Sequence, residues 1–116
     1  MRVFVTGIAG FIGSHIAEYF KKNGDDVLGL DAFTDFYDPH LKRKNAETLS
    51  ALGITIYEKN IVFDDFTDVF QNSDVIIHAA AQPGLSVTDP EIYQKNNVLG
   101  TKRVLEAALK TNPKLF

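Results

Sequence analysis

Residues Thr6-Gly7-Ile8-Ala9-Gly10-Phe11-Ile12-Gly13 constrain the fold of this chain more than any other stretch. They form a G-x-x-G-x-x-G run between an apolar strand, Val3-Phe4-Val5, and a helix whose expected inner face is Ile12, Ile16, Tyr19 and Phe20. Each glycine has a physical task. Gly7 lets the chain turn sharply off the strand, Gly10 offers backbone without a Cβ for a close approach, and Gly13 lets the helix pack tightly on the sheet. A helix opened in this way presents unpaired N–H groups and a partial positive charge, which suits a pyrophosphate. A second apolar strand, Val27-Leu28-Gly29-Leu30, ends in Asp31, 18 residues after Gly13. That is near the spacing at which a carboxylate accepts hydrogen bonds from the ribose hydroxyls of an adenosine. Together the two signals read as a dinucleotide site. The alternative is an ordinary strand–helix–strand unit with a coincidental acid at a strand end.

The rest of the chain keeps alternating, which argues for a parallel sheet with helices on both faces. The first strand is expected near Arg2–Thr6 and the first helix near Phe11–Asn23, with Gly24 as its terminating glycine. The second strand spans about Asp26–Leu30. An aromatic, acidic loop from Phe33 to Pro39 leads into a second helix up to Leu52, which Gly53 ends. Ile54-Thr55-Ile56-Tyr57 reads as a third strand. Asp65 to Gln71 reads as a short helix with Phe66, Val69 and Phe70 inward, opened by Asp64, Asp65 and Asp68. Asp74-Val75-Ile76-Ile77-His78 reads as a fourth strand whose unbroken apolar run implies burial on both faces. A long helix is expected from about Asp89-Pro90 to Leu109. Right-handed crossovers give the order 3-2-1-4, with a fifth strand at most begun at Lys114-Leu115-Phe116. Ligands bind at the switch point between strands one and four.

The order and spacing of these motifs resemble the extended short-chain dehydrogenase/reductase family, and within it the nucleotide-sugar epimerases and dehydratases. The residues that carry the resemblance are the glycine run, Asp31-Ala32-Phe33-Thr34-Asp35-Phe36-Tyr37-Asp38-Pro39 with Leu41-Lys42, His78-Ala79-Ala80-Ala81-Gln82, and Asn96-Asn97-Val98-Leu99-Gly100-Thr101. The segment after the second strand looks most like that of UDP-glucuronate 4-epimerases. The resemblance covers essentially the whole chain. It implies an α/β, three-layer, Rossmann-type doubly wound sheet and NAD as cofactor. It also implies that Gly7, Gly10, Phe11, Ile12, Gly13, Asp31, Ala32, Asn60, Ile61, Ala79, Ala80, Ala81 and Asn96 hold that cofactor.

Several of these residues have plainer readings. The alanines suit a flat nicotinamide-ribose lying on the backbone, or simple packing at a strand end. Asn60 stands where relatives have an acid beside adenine, and its amide carbonyl could accept from the adenine amino group without charge. In relatives the position of Asn96 faces the cofactor, and that of Asn97 ties the helix to the sheet. His78 reads as a hydrogen-bonded core histidine. Asp31 favours NAD over NADP, since a 2′-phosphate would face a carboxylate. Lys42 and Arg43 could compensate only if their helix turned them inward, and the Lys42-Arg43-Lys44 cluster reads as a solvated helix face.

Family members complete catalysis with a Tyr-x-x-x-Lys pair. Four residues after Tyr19, Tyr37, Tyr57 and Tyr93 stand Asn23, Leu41, Ile61 and Asn97, so the pair is absent from this sequence. The chain therefore reads as one truncated NAD-binding domain over residues 1–116, without a catalytic half and inactive alone. Its parent would be a nucleotide-sugar 4-epimerase, which takes a hydride from sugar C4 and returns it to the other face. A dehydratase or decarboxylase is the near alternative. A stand-alone, non-catalytic NAD-binding module, or a remnant that binds nothing, are readings of another class.

Composition narrows the rest. With 116 residues there is room for one domain. A net charge of −3 gives no nucleic-acid footprint. Zero cysteines exclude disulfides and thiolate chemistry, and the histidines have no metal-ligand spacing. No stretch reads as a signal peptide or membrane span, which leaves the cytoplasm as the default expectation. If strand five is a stub, the Val75-Ile76-Ile77 edge favours self-association through strands four and five.

Overall fold

The computed structural model of the chain describes residues 1–35, 38–84 and 88–116. Of the aromatic loop after the second strand, Phe36 and Tyr37 lie outside the described residues. Four parallel strands, β1 (Arg2–Thr6), β2 (Asp26–Asp31), β3 (Thr55–Glu58) and β4 (Val75–His78), form one sheet in the order β3-β2-β1-β4. This is the expected order. The register sets Val3 beside Val27 and Val75, and Thr6 beside Leu30 and His78. β3 begins and ends one residue later than the sequence suggests, because Ile54 is taken by the helix end before it: its N–H donates to the Leu49 carbonyl at 3.1 Å.

Strand alternation divides the interior into two cores, one on each side of the sheet. Val3, Val5, Val27 and Val75 face one way, against Ala17 of α1 (Phe11–Lys22) and Leu49 of α2 (Pro39–Ala51). Phe4, Leu28, Leu30 and Ile76 face the other way. There they meet Phe66 and Phe70, at the cap and the end of a 3₁₀ turn (Thr67–Phe70), and Val104, Ala107 and Ala108 of the last helix. The layers are helix, sheet, helix.

Three local expectations change. The inner face of α1 is Gly13, Ala17, Ile16 and Phe20, whereas Ile12 and Tyr19 are 65% and 64% exposed. Positions 13, 16, 17 and 20 form a regular helical stripe, but a glycine gives no apolar signal, so the periodicity reads one residue off. The short helix before β4 is a 3₁₀ turn: Phe66 and Phe70 are buried as expected, and Asp65 accepts from the Thr67 N–H at 3.1 Å. Asp64 instead folds back to accept from the Asn60 N–H at 2.7 Å. The long helix over residues 90–111 is not uniform. It runs as α3 (Pro90–Tyr93), a π-helical segment (Gln94–Leu99) and α4 (Gly100–Thr111).

The outer edge of β4 is partly covered. Lys114 and Leu115 donate to the Asp74 carbonyl at 2.8 and 3.2 Å, and Ile76 donates to the Leu115 carbonyl at 3.0 Å. A fifth strand is thus begun as a single parallel bridge between Val75 and Leu115. Among the described residues, no helix is long and apolar enough to cross a membrane.

The aromatic centre of the second core is a stability-sensitive point. Phe70 is fully buried, with its ring 4.7 Å from Phe4 and 5.4 Å from Phe66. Phe70→Ala is expected to cost about 3–5 kcal/mol. Urea unfolding should show a lower midpoint with an unchanged slope; a loss below about 1 kcal/mol would mean that this ring cluster does not anchor the 3₁₀ turn.

Candidate nucleotide-binding cleft

The cleft is built where the C-terminal ends of β1, β2 and β4 meet the start of α1. Gly7 has φ +69°, a left-handed conformation that a side chain resists. A Cβ on Gly7 would lie 2.8 Å from the backbone of Ala80, and one on Gly13 would lie 2.1 Å from the Gly7 carbonyl oxygen. Three backbone segments therefore touch with no room for a side chain between them. Gly13 approaches the turn after β1 rather than the sheet itself.

α1 starts at Gly10, which has no side chain to cap it. Its first helical bond runs from Ser14 N–H to the Gly10 carbonyl at 2.9 Å. The amides of Phe11, Ile12 and Gly13 thus have no partner within the helix. By contrast, Asp38 accepts from His40 N–H at the start of α2, and Asp89 from Glu91 N–H at the start of α3. No acid stands in the first turn of α1, while Lys21 and Lys22 stand in its last. The positive end of the helix dipole is left open toward the cleft.

Opposite it stands Asp31, 6% exposed at the end of β2. Its two carboxylate oxygens accept from Ala9 N–H at 3.0 Å and Phe33 N–H at 2.8 Å. The carboxylate is fixed in orientation, and each oxygen keeps acceptor capacity for another donor. The turn that follows is equally fixed. Phe33 adopts φ +52°, and the Arg43 guanidinium sits 3.9 Å over its ring. Arg43 also donates to both oxygens of Glu58, at 2.9 and 3.2 Å, which holds its own pKa up and that of Glu58 down.

Lys42 departs from the solvated face expected of it. It is 7% exposed, donates from Nζ to Thr34 Oγ1 at 3.0 Å, and lines the cleft. The spacing explains why. Lys42, Asn45 and Leu49 share one face of α2; Leu49 enters the core, and Asn45 donates to the Ala9 carbonyl at 2.9 Å. The buried apolar Leu49 read together with the two polar residues above it is the signal that places Lys42 inward.

The third wall follows β4. Thr6 Oγ1, fully buried, lies 3.2 Å from both Ala79 N and Ala80 N and 2.7 Å from His78 Nδ1. His78 Nε2 lies 2.9 Å from Thr101 Oγ1 on α4, so the histidine is hydrogen-bonded on both nitrogens. Further on, Asn97 accepts from the Gln82 N–H at 2.7 Å and donates to its carbonyl at 3.1 Å. That is the tie from helix to sheet expected of Asn97.

These walls enclose a cleft of about 420 Å³ adjoining a recess of about 60 Å³. Gly7, Gly10, Phe11, Ile12, Gly13, Asp31, Ala32, Ala79, Ala80 and Ala81 line the cleft. Asn60, Ile61 and Asn96 line the recess, which shares Ala32, Thr34 and Ala81 with the cleft. All thirteen residues singled out from the sequence are thus brought together. Ile12 and Phe11, 65% and 75% exposed, stand at its rim. One expectation changes: the Asn60 side-chain carbonyl already accepts from Val62 N–H at 2.8 Å, so it is not simply open to a ligand. Arg103 of α4 holds the same loop by donating to the carbonyls of Ile61 and Asp64. Thr34, Lys42 and Gln82, which belong to segments that the sequence reading noted but were not among its thirteen site residues, line the cleft or its recess too, and Lys59 and Pro83 are lining residues that the sequence reading did not name.

Comparison with known proteins agrees with this geometry. UDP-glucuronate 4-epimerase 1 of Arabidopsis thaliana is 37% identical over 118 residues, covering 96% of this chain and 27% of the relative. Protein CapI of Staphylococcus aureus is 32% identical over 117 residues, covering 97% of this chain and 35% of the relative. The crystal structure of UDP-glucuronic acid 4-epimerase from Bacillus cereus in complex with NAD matches with a TM-score of 0.86 at 35% identity. That match covers 99% of this chain and 37% of the other. The chain thus spans only about a quarter to a third of the length of these curated relatives. The sequence model of one family matches residues 3–116, taking in the glycine turn, Asp31 and the alanines after β4, and this chain belongs to that NAD dependent epimerase/dehydratase family.

Proposed function

We propose that this chain binds NAD and is the cofactor-binding part of a UDP-glucuronate 4-epimerase-like enzyme. The observation that carries the reading is the pairing, across one cleft, of an uncapped helix N-terminus with a buried, rigidly held carboxylate. The pyrophosphate takes the amides of Phe11, Ile12 and Gly13 and lies against Gly7 and Gly10. The adenosine ribose donates its hydroxyls to Asp31, beside Ala32. Adenine enters the recess of Asn60, Ile61 and Asn96, and the nicotinamide half runs along Ala79, Ala80 and Ala81. The cleft volume lies in the range of about 300–1,000 Å³ usual for small-molecule sites. The NAD held by the Bacillus cereus relative, at 35% identity, supports the choice of dinucleotide. When bound, NAD supplies a hydride acceptor; the residues of this chain bind and orient it.

The inward Lys42 bears on cofactor choice without reversing it. A 2′-phosphate would still meet a carboxylate that two backbone amides prevent from turning away. NAD is therefore expected to bind more tightly than NADP. Asp31→Asn should weaken NAD by about tenfold or more, the scale of a hydrogen bond to a charged group, and leave NADP less affected, because Lys42 remains. Isothermal titration with both cofactors checks this, and equal affinities in the unmodified chain would sink it. Gly10→Val is a second probe. Gly10 sits at φ −72° and ψ 172°, which valine tolerates, so NAD binding should vanish while the thermal unfolding curve persists.

The 4-epimerase assignment rests on the relatives, and the sugar nucleotide is proposed by that likeness. Within these residues there is no Tyr-x-x-x-Lys pair to serve as base. General-base help, worth about 10²–10⁴-fold, is missing from this chain alone. The purified 116-residue chain should therefore bind NAD yet give no 4-epimerisation of UDP-glucuronate. Turnover clearly above a protein-free blank would move the active site into these residues.

A further inference from the structure

The hydrogen bonds beneath the cleft fix where the His78 proton sits. The Thr6 hydroxyl has one proton to donate and two lone pairs to fill. Ala79 N–H and Ala80 N–H both point at it, each at 3.2 Å, and a backbone N–H can only donate. Both lone pairs are then taken, and the hydroxyl proton has one remaining destination, His78 Nδ1 at 2.7 Å. Nδ1 must accept, so the ring proton is on Nε2, where it donates to Thr101 Oγ1 at 2.9 Å. The chain of bonds runs from the alanine amides through Thr6 and His78 to Thr101, tying β1, β4 and α4 together.

A second ring proton cannot join this chain. An N–H on Nδ1 would face a hydroxyl with no free lone pair. One alanine amide would have to leave. Ala79 N–H also reaches the Thr6 carbonyl oxygen, at 3.2 Å, whereas Ala80 N–H has the hydroxyl as its acceptor. Ala79, with that second acceptor, is the amide that gives up the hydroxyl at least cost, and Ala80, which depends on the hydroxyl and is the backbone packed against Gly7, feels the hydroxyl turn.

We propose that His78, as the neutral Nε2–H tautomer, is a positioning residue that acts through Thr6 to hold Ala79 and Ala80 against Gly7, so that the cleft keeps its shape for NAD only while the imidazole is uncharged. The proposal rests on the NAD reading above. Among the described residues, the charged groups on the elements around the ring are engaged elsewhere. On α4, Lys102 is turned toward Glu106 and Arg103 holds the carbonyls of Ile61 and Asp64. On the preceding helical segments Lys95 lies near Glu91. Asp74, at the far end of β4, binds Arg2 N–H and Lys114, and Arg2 at the far end of β1 lies near Asp26. Burial accordingly lowers the His78 pKa from its ordinary value of 6.5. The unfolded chain then takes up this proton first, so the stability that the neutral ring contributes is complete above 6.5 and declines as the pH falls from there toward the folded-state pKa.

Two measurements on the whole chain test the proposal. Titration with NAD should give an affinity that holds from about pH 8 down to about pH 6.5 and then falls, at up to about tenfold per pH unit once below the folded-state pKa of His78, with the folded fraction confirmed by circular dichroism at each pH. His78→Asn should bind NAD with little change across that range. Asparagine places an acceptor oxygen near the position of Nδ1 and takes up no proton. A wild-type affinity that does not change with pH, or a His78→Asn variant that keeps the full acid loss, overturns the proposal. The second measurement needs no ligand: nitrogen NMR should show the Nε2–H tautomer, with the Ala80 amide shifting along the same titration as the ring. An Nδ1–H tautomer, or an Ala80 amide indifferent to that titration, overturns the relay whatever NAD does. A relay that passes this test in a chain that binds no NAD even at about pH 8 overturns the NAD reading instead.

Discussion

Everything in this structure depends on one place where three backbones touch. A Cβ on Gly13 would lie 2.1 Å from the Gly7 carbonyl oxygen, and one on Gly7 would lie 2.8 Å from Ala80. No side chain fits at either point, so the start of α1, the turn after β1 and the end of β4 are drawn together by omission. The contact fixes the helix N-terminus over the switch point of the sheet. It also determines which residues line the cleft. Once α1 is anchored by Gly13, its face turns so that Ala17, Ile16 and Phe20 meet the sheet while Phe11 and Ile12 are left at the rim. Their exposure is a cost in water, and it is set by the same geometry that opens the amides.

The polar residues around this contact bond mostly to backbone rather than to one another. Asp31 takes two amides, Asn45 one carbonyl, Asn97 both groups of Gln82, and Thr6 two amides. Each satisfies main-chain groups that the turns after β1, β2 and β4 leave outside the sheet ladder. Secondary structure cannot hold these turns, so side chains do. The contrast at α1 is informative in that light. α2 and α3 are given aspartate caps, while the helix that opens on the cleft begins at a residue unable to cap it. Leaving the N–H groups of one helix uncapped forgoes about 1 kcal/mol of stability, which an anionic ligand can return on binding.

The layout was legible in the sequence because its signals are redundant. Strand order, the glycine turn, Asp31 and the alanines after β4 each follow from apolar runs and small residues at element ends. The misreadings fall where one residue's type contradicts its position. Lys42 belongs to a basic cluster, yet it lies one heptad before Leu49 on the buried face of α2. Gly13 lies on the packing face of α1 but carries no hydrophobic weight. Thr6 reads as the last residue of a strand, and nothing local shows that its hydroxyl gathers two amides from residues 73 and 74 positions away. Such facts belong to the parallel pairing of β1 with β4, which sequence order implies only in outline.

The π-helical segment Gln94–Leu99 was not legible at all, and its position gives it meaning. In a regular α-helix neighbouring residues diverge by about 100°, so two adjacent asparagines would not both address one surface. Here Asn97 binds both backbone groups of Gln82, and Asn96 lines the recess beside the same residue. Both asparagines lie within the widened turns. No propensity scale marks such a segment, because asparagine has no preference for it. The pull comes from outside the helix. Gln82 follows β4 beyond the end of the ladder and needs a partner for both its N–H and its carbonyl. Downstream, Gly100 restores the α-helix where a Cβ would lie 2.7 Å from Ile61, the residue that closes the recess on its other side. The distortion is therefore held from both ends by the walls of the cleft, which fits the tendency of π-turns to occur at functional sites.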